Sequence, residues 1–572
     1  MILSRSCFSW IAVLAIANGV AVAAYAQSSG SDARFQIGSS NTVTADPLVP
    51  RPNQRPCIVP LFSSIQFEDF SIKNYQFTPP PDCPGPWKEV VFTADFNVTA
   101  GRQFDRTAIV DLGFVNLYFG TTPEPRSSLS PAWHVERDVT DYSALFENSQ
   151  IGHVILGNIV NSTFNGIISG SAALEFYPSD HGNSALNRRT PDAVLPLTQP
   201  GGQGGVNEPA FLFQPTDQLA TSFTLPRNVE RAFLDVITQS QIGDEFWYSC
   251  VPNDVAAQLQ SCGNTAFREA EISIDGQPAG VAPVYPWIYT GGIDPFLWEP
   301  IPGVQTLNFV PYRVDLTPFA GVLSNGQPHT VAVSVFNADN YFTATATLLL
   351  FLDRESQQIT GEVTENTIGS SPNPVVNENL QTDSSGNVSG TVAVSSSRAF
   401  TVSGFVNTSR GRVDTVVRQN VNFNNAQNFT INATTFVQDI TQKTTVDSTT
   451  TTTRGAATFS TAESFLYPLT LNIAFSIAAD GSASQLTTSS QEFKFDVREP
   501  FFASTVSNKV DSTDTLNFNA SGGFTGNTGQ KSSQNYSFAN SRGQSYSCTL
   551  QAENRALTSA SEGCTEQINL KP

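Results

Sequence analysis

Histidine is scarce in this 572-residue chain. His134, His153, His181 and His329 are the four present, and none sits in an HExxH pattern or another close cluster. The usual spacing of a zinc hydrolase is therefore missing. No GxSxG elbow marks a Ser-His-Asp hydrolase, and no glycine-rich phosphate loop occurs. Lys and Arg number 30 against 50 Asp and Glu, a formal charge of −20, with no basic patch. Nucleic acid is thereby excluded as an expected partner. Beyond residue 26 no apolar run reaches the roughly 20 residues of a membrane span. Helical periodicity is also rare. Short runs of Val, Ile, Phe and Thr, broken by Gly, Pro, Asn and Asp, give the texture of β-sandwiches and barrels.

What is present begins with a targeting pattern. Arg5 precedes the apolar run FSWIAVLAIANGVAVAA, and Ala24–Ala26 offers small residues for cleavage before Gln27. Residues 1–26 thus read as a secretory signal peptide, and the mature chain is expected in the extracellular space or a secretory or vacuolar lumen, free of membrane. Cys7 leaves with that segment. The other six cysteines fall in three local couples, predicting Cys57–Cys83, Cys250–Cys262 and Cys548–Cys564 in an oxidising compartment. Such pairing argues against a thiol nucleophile. Asn-x-Ser/Thr sites stand at Asn97, Asn161, Asn387, Asn407, Asn428, Asn432, Asn519 and Asn535, acceptors for N-glycans on a eukaryotic secretory route.

Composition divides the remainder. Residues 27–87 form a proline-rich lead-in and 181–207 a linker, while 354–572 turn to Ser, Thr and Asn with little Pro. Internal repetition then sets the architecture. DVTDYSALFENSQIGHVIL (138–156) matches DLTPFAGVLSNGQPHTVAV (315–333), with Asp138 on Asp315, Thr140 on Thr317 and His153 on His329 within one residue. Upstream, 104–120 resembles 267–283. The expected fold is all-β: two tandem jelly-roll-like antiparallel β-sandwiches packed side by side (88–180 and 208–353), followed by a further β-rich C-terminal domain. The equivalent positions of His153 and His329 speak for structural roles.

Between two such sandwiches a cleft would collect Asp105 and Arg106 from the first copy. The second would add Asp244, Glu245 and Trp247 from an extra lead, and Trp287 and Trp298 from the insert 283–305. Tryptophan beside carboxylate suits sugars, whose apolar faces stack while their edges hydrogen-bond. Carboxylate pairs can hydrolyse glycosides, or amides by way of an activated water. No metal and no cofactor is expected.

The segments GRQFDRTAIVDLGFVNLYFGTTPEP, ERDVTDYSALF, GDEFWYSC, AFREAEISIDG, YTGGIDPFLWEP and YRVDLTPF closely resemble, in order, the peptide-N4-(N-acetyl-β-glucosaminyl)asparagine amidase A family. That resemblance implies hydrolysis of the glycosylated asparagine amide in N-glycopeptides or N-glycoproteins, giving aspartate and a glycosylamine. A more distant resemblance to flavobacterial secreted peptide N-glycanases implies that Asp105, in Phe104–Asp105–Arg106, is the essential catalytic residue. It places Glu124 on a substrate-contacting aromatic, Asn158 on a supporting glutamate, and Asn264 near another. The resulting assignment has Asp105, Glu124 and Glu245 as catalytic residues. Arg106, Asn158, Asp244, Trp247 and Trp298 would bind substrate, with Arg106 also holding Asp105 ionised. Two rival readings are an N-glycan-directed glycosidase and a non-catalytic glycan-binding or adhesin protein.

Overall fold

The computed structural model describes residues 35–124, 128–179, 189–198 and 209–565. The expected signal peptide and most of the expected linker lie outside them. Eight strands build the first sandwich: β1 (Cys57–Phe67), β2 (Lys73–Phe77), β3 (Trp87–Val98), β4 (Thr107–Leu112), β5 (Val115–Thr121), β6 (Ala132–Asp138), β7 (Gln150–Leu156) and β8 (Ile168–Pro178). They pair as β1-β8-β3-β6 and β2-β7-β4-β5. The second comprises β9 (Ala193–Leu197), β10 (Ala210–Leu212), β11 (Leu219–Thr224), β12 (Val229–Ser240), β13 (Glu269–Ile274), β14 (Gln277–Pro283), β15 (Tyr312–Asp315), β16 (Pro328–Phe336) and β17 (Phe342–Leu352). Its sheets run β10-β17-β12-β15 and β11-β16-β13-β14, with β9 also on β17. Setting β9 aside, this is the strand order of the first sandwich repeated.

The matched Asp-x-Thr segments do the same work in both copies. Asp138 Oδ1 accepts the Thr140 N–H and Asp315 Oδ1 accepts the Thr317 N–H, each at 2.9 Å. These side-chain turns end a strand and open a 3-10 turn. His153 and His329 each hold a turn aspartate, Asp111 at 2.9 Å and Asp275 at 2.6 Å.

Two expected boundaries need correction. The lead-in is not extended chain throughout, because β1 and β2 pair with β8 and β7. Pro60 is tolerated because β1 is an edge strand with register shifts on either side of Phe62. The first sandwich therefore starts at Cys57 rather than at 88. Within the supposed linker, Ala193–Leu197 is a strand on the edge of β17, where Pro196 is again admissible. All three expected disulfides are formed.

Beyond Thr360 lies one eleven-stranded antiparallel sheet. Its strands are β18 (Thr360–Asn366), β19 (Val375–Thr382), β20 (Val388–Thr408), β21 (Gly411–Asn432), β22 (Thr435–Arg454), β23 (Ala457–Ile477), β24 (Ala483–Glu499), β25 (Phe502–Phe518), β26 (Phe524–Asn540), β27 (Ser545–Glu553) and β28 (Ala556–Ala560). From Val413 to Ile431 alternate residues of β21 are buried and the rest face outward, as a period of two demands. The inner face shares a core with the second sandwich: Phe423 meets Phe267 at 5.0 Å and Trp247 at 6.2 Å between ring centres.

That inner face is also polar in a patterned way. Gln427 Nε2 donates to Cys250 O, Asn425 Nδ2 to Tyr248 O and Gln438 Nε2 to Ser249 O. Gln491 does double duty, donating to Pro286 O at 2.6 Å and accepting the Val304 N–H at 2.9 Å. Each stranded buried group costs about 1–3 kcal/mol. Gln491→Ala is therefore expected to destabilise the protein by about 2 kcal/mol or more, seen as a lower thermal unfolding midpoint. Asn424→Ala, on the exposed face of β21, should leave the midpoint unchanged.

Candidate active site

A hairpin brings the first two acids together. In the β4–β5 pair Thr107 faces Thr121, and one step beyond, the Thr122 N–H donates to Arg106 O at 2.8 Å. Asp105 and Glu124 thus emerge side by side from its open end. A third loop meets them. Asp105 Oδ2 accepts the Gly291 N–H at 3.2 Å, and a Cβ on Gly291 would stand 2.6 Å from Asp105 Oδ1 and 2.5 Å from Glu124 Oε2. Only glycine allows both carboxylates this close to the backbone. Glu245, from the second sandwich, feels both charges. Burial first, then Asp105 and Glu124, push its carboxyl up to about 7.

The sandwiches are fastened around this point. Gln239 and Gln241 each donate to Thr107 Oγ1 at 3.2 Å. Thr290 Oγ1 donates to Thr122 O at 2.7 Å across the same seam, and within the second sandwich Tyr289 O–H donates to Ser240 O at 2.7 Å. The insert carrying Gly291 is in turn tied to β5, where Tyr118 O–H donates to Leu307 O at 2.6 Å.

Electrostatically the pair Asp105–Arg106 differs from the expectation. Burial raises the Asp105 carboxyl above its ordinary value, outweighing the Gly291 N–H and the Arg106 charge, which lower it. Burial likewise lowers the Arg106 guanidinium against the pull of Asp105 and Glu124. Desolvation exceeds attraction because the neighbouring charge is not hydrogen-bonded to the carboxylate. Arg106 instead donates to Gln103 Oε1 at 2.8 Å and lies 5.6 Å from the Phe104 ring centre. Its buried Nε has no partner among the described residues.

Four expected substrate contacts, Asp244, Trp247, Trp298 and Asn158, lie elsewhere, as does Trp287 of the expected cleft. Asp244 is fully buried, ion-paired to Arg268 Nε at 2.7 Å and accepting the Asp339 N–H at 2.5 Å. Trp247 is fully buried against the C-terminal sheet. Trp298 is buried and donates Nε1–H to Gly292 O at 3.0 Å, bracing the glycine turn from behind. Trp287 is buried on Phe309 at 4.4 Å. Asn158 is fully buried and donates to Phe67 O at 2.9 Å. The insert and the lead are irregular chain covered on both sides, so their tryptophans fill core. Asn264, which is not acidic, bonds the Asn337 backbone at 2.8 Å.

The apolar surface beside the carboxylates is phenylalanine. Phe104, 40 % exposed, packs at 4.8 Å on Phe164 with Arg102 alongside, and half-buried Phe246 lies against Gly292. Gly291 and Phe164 were not among the expected site residues. The Gly-Gly of YTGGIDPFLWEP was a usable signal for the first, whereas nothing in sequence marks Phe164. Among the described residues no group of three or more His, Cys, Asp or Glu is arranged to hold a metal ion.

Residues 64–368 match the family model described as peptide N-acetyl-β-D-glucosaminyl asparaginase amidase A. The chain belongs to that family. It is 31 % identical over 399 residues to peptide-N4-(N-acetyl-β-glucosaminyl)asparagine amidase A of Prunus dulcis, covering 66 % of this chain and 68 % of that protein. Among solved structures, PNGF-II aligns with a TM-score of 0.38 and 14 % identity, over 52 % of this chain and 65 % of the other. PNGase F from Flavobacterium meningosepticum aligns at 0.34 and 13 %, over 52 % and 96 %. Such distant likenesses add nothing to what the strand order already shows. In this amidase A family member two substitutions separate positioning from support. Gly291→Ala should fold yet push Asp105 and Glu124 apart, visible as displaced carboxylates in a crystal structure of the variant. Asp244→Ala should cost about 3–5 kcal/mol by stranding buried Arg268, a loss of stability measured by thermal unfolding.

Proposed function

We propose that the protein is a secreted glycoamidase that hydrolyses the amide between N-acetylglucosamine and asparagine in N-glycopeptides or N-glycoproteins. Family membership supports the reaction class. The observation that supports the site is the meeting of Asp105 and Glu124 at the Gly291 backbone, with Glu245 close enough to feel both charges. Three disulfides agree with an oxidising compartment.

The chemistry follows from how these acids differ. Asp105, ionised and held by the Gly291 N–H, takes a proton from water as the water oxygen bonds to the amide carbon. Glu245, neutral below about pH 7, gives a proton to the amide nitrogen as the C–N bond breaks. Aspartate and a glycosylamine result, and the latter then loses ammonia. Two carboxyls whose environments assign one the base and the other the acid are a recurrent arrangement. Arg106, a half-buried guanidinium near Asp105 and Glu124, would steady the carbonyl oxygen's developing charge. Glu124 shares the Gly291 contact and helps keep Glu245 protonated. Phe104 and Phe164 offer the apolar face for the first sugar.

Incubation with a defined N-glycopeptide near pH 5 tests the reading by mass spectrometry. The expected product is the peptide without glycan and with aspartate in place of asparagine. Asp105→Asn should lower the rate by about 10³-fold, within the range of a lost general base. A peptide keeping one N-acetylglucosamine would instead mean a glycosidase, and an untouched peptide retained by the protein a binding module. The pH profile carries a further sign. Activity should rise as Asp105 ionises and fall above about pH 7 as Glu245 loses its proton. Glu245→Gln should be slower and should lack that alkaline fall.

A further inference from the structure

A cavity of about 870 Å³ lies away from the carboxylates, where the first sandwich, the insert and the C-terminal sheet meet. This is within the roughly 300–1,000 Å³ of sites that enclose small ligands. Its two walls differ in kind. One is the outer face of the β1-β8-β3-β6 sheet, presenting Asp95, Asn97, His134 and Ser171. The other is the C-terminal sheet, presenting Phe465, Phe493 and Phe495, rings that stay half-buried rather than buried. Phe465 and Phe495 face each other across β23 and β24 with ring centres 4.5 Å apart. An aromatic shelf opposite a polar shelf matches the two surfaces of a sugar ring.

The polar wall contains its own attachment point. Asn97 opens the sequon Asn97-Val98-Thr99 and is exposed. Its Oδ1 accepts from Ser169 Oγ at 2.7 Å, while Nδ2, the atom that glycosylation uses, has no partner among the described residues. Beside it, His134 lies between Asp95 at 2.8 Å and Glu136 at 3.0 Å, with both ring nitrogens occupied. Asp95 Oδ2 remains as an acceptor for sugar hydroxyl or acetamido N–H groups. β3 also precedes β23–β25 in the chain, so a sugar added during synthesis would be in place before the aromatic wall closes.

We propose that the N-glycan carried on Asn97 occupies this cavity, stacking on Phe465 and Phe495 and joining the first sandwich to the C-terminal sheet. The modification is transfer from a polyprenyl diphosphate-linked oligosaccharide. Asn97 Nδ2 bonds to the sugar C1 and loses a proton, and the C1–O bond to the diphosphate breaks as the lipid diphosphate leaves. An oligosaccharide of the same chemistry could also enter from outside, and the test separates the two.

The full chain is made in a eukaryotic secretory host that leaves oligomannose glycans. It is treated, folded and after denaturation, with an endo-β-N-acetylglucosaminidase, and each sequon is followed by glycopeptide mass spectrometry. Expected is a glycan on Asn97 that is released about tenfold or more slowly than those on exposed Asn428 and Asn519 while the protein is folded. The difference should vanish on denaturation. Phe465→Ala with Phe495→Ala should abolish the protection; should that variant misfold, the folded-against-denatured comparison of the native chain still decides. An unmodified Asn97, or a glycan released at the rate of the exposed ones, overturns the proposal. So does an unmodified Asn97 together with saturable binding of free oligomannose-chitobiose, which would assign the cavity to an external sugar. Glycans on Asn428 and Asn519 alone would leave the secretory route standing while the Asn97 proposal fails.

Discussion

The structure depends on buried side-chain amides answering irregular backbone. The site is backed by the loops 242–250 and 284–311, which bury peptide groups with only short 3-10 turns to pair them. Such groups must find partners, and the C-terminal sheet supplies them. Gln427, Asn425 and Gln438 serve the carbonyls of Cys250, Tyr248 and Ser249, and Gln491 serves Pro286 and Val304. Gln530 extends the pattern to Glu299 O at 3.0 Å. This gives the Ser/Thr/Asn/Gln-rich composition of the last third a physical reason. A purely aliphatic inner face would bury the loops equally well and leave their backbone unpaired.

From that support follows the electrostatics of the centre. Loops held this firmly can bring acids of both sandwiches into one partly dehydrated space, where burial governs ionisation more than the nearest cation does. Arg106 is adjacent to Asp105 in sequence and still does not overcome desolvation, since its own hydrogen bond goes to Gln103. Glu245 is raised further by its two acidic neighbours. The acids become chemically distinct through position, although all three are ordinary carboxyls.

Repetition made the sandwiches legible in sequence, because Asp138-x-Thr140 and Asp315-x-Thr317 are the same side-chain turn and mark the same place in each strand order. Local cysteine spacing likewise led to the right disulfides. Acidic type, motif and resemblance singled out Asp105, Glu124 and Glu245, which the fold brings near one another. Residues whose type is ambiguous between core and site were harder. Trp247 and Trp298 have the chemistry of a sugar platform, and only the sheet laid over them decides that they are interior. Asp244 adjoins Glu245 yet turns inward to Arg268. β1 and β9 were hidden by their prolines, which edge strands accept and central strands do not, and β2 by the proline-rich segment around it.

Asp105 and Glu124 come from the first sandwich, Glu245 and Gly291 from the second, and the bonds from Gln239, Gln241 and Thr290 cross between them at that level. Neither sandwich alone brings Asp105, Glu124, Glu245 and the Gly291 N–H together. The centre is therefore a property of the interface. The third body lies behind it, and its amides and aromatic rings hold the crossing loops in the one geometry where the acids meet. A duplicated sandwich gives a cleft between copies; the insert and the lead of the second copy, backed by the long sheet, make that cleft a place where carboxyls of unlike surroundings meet.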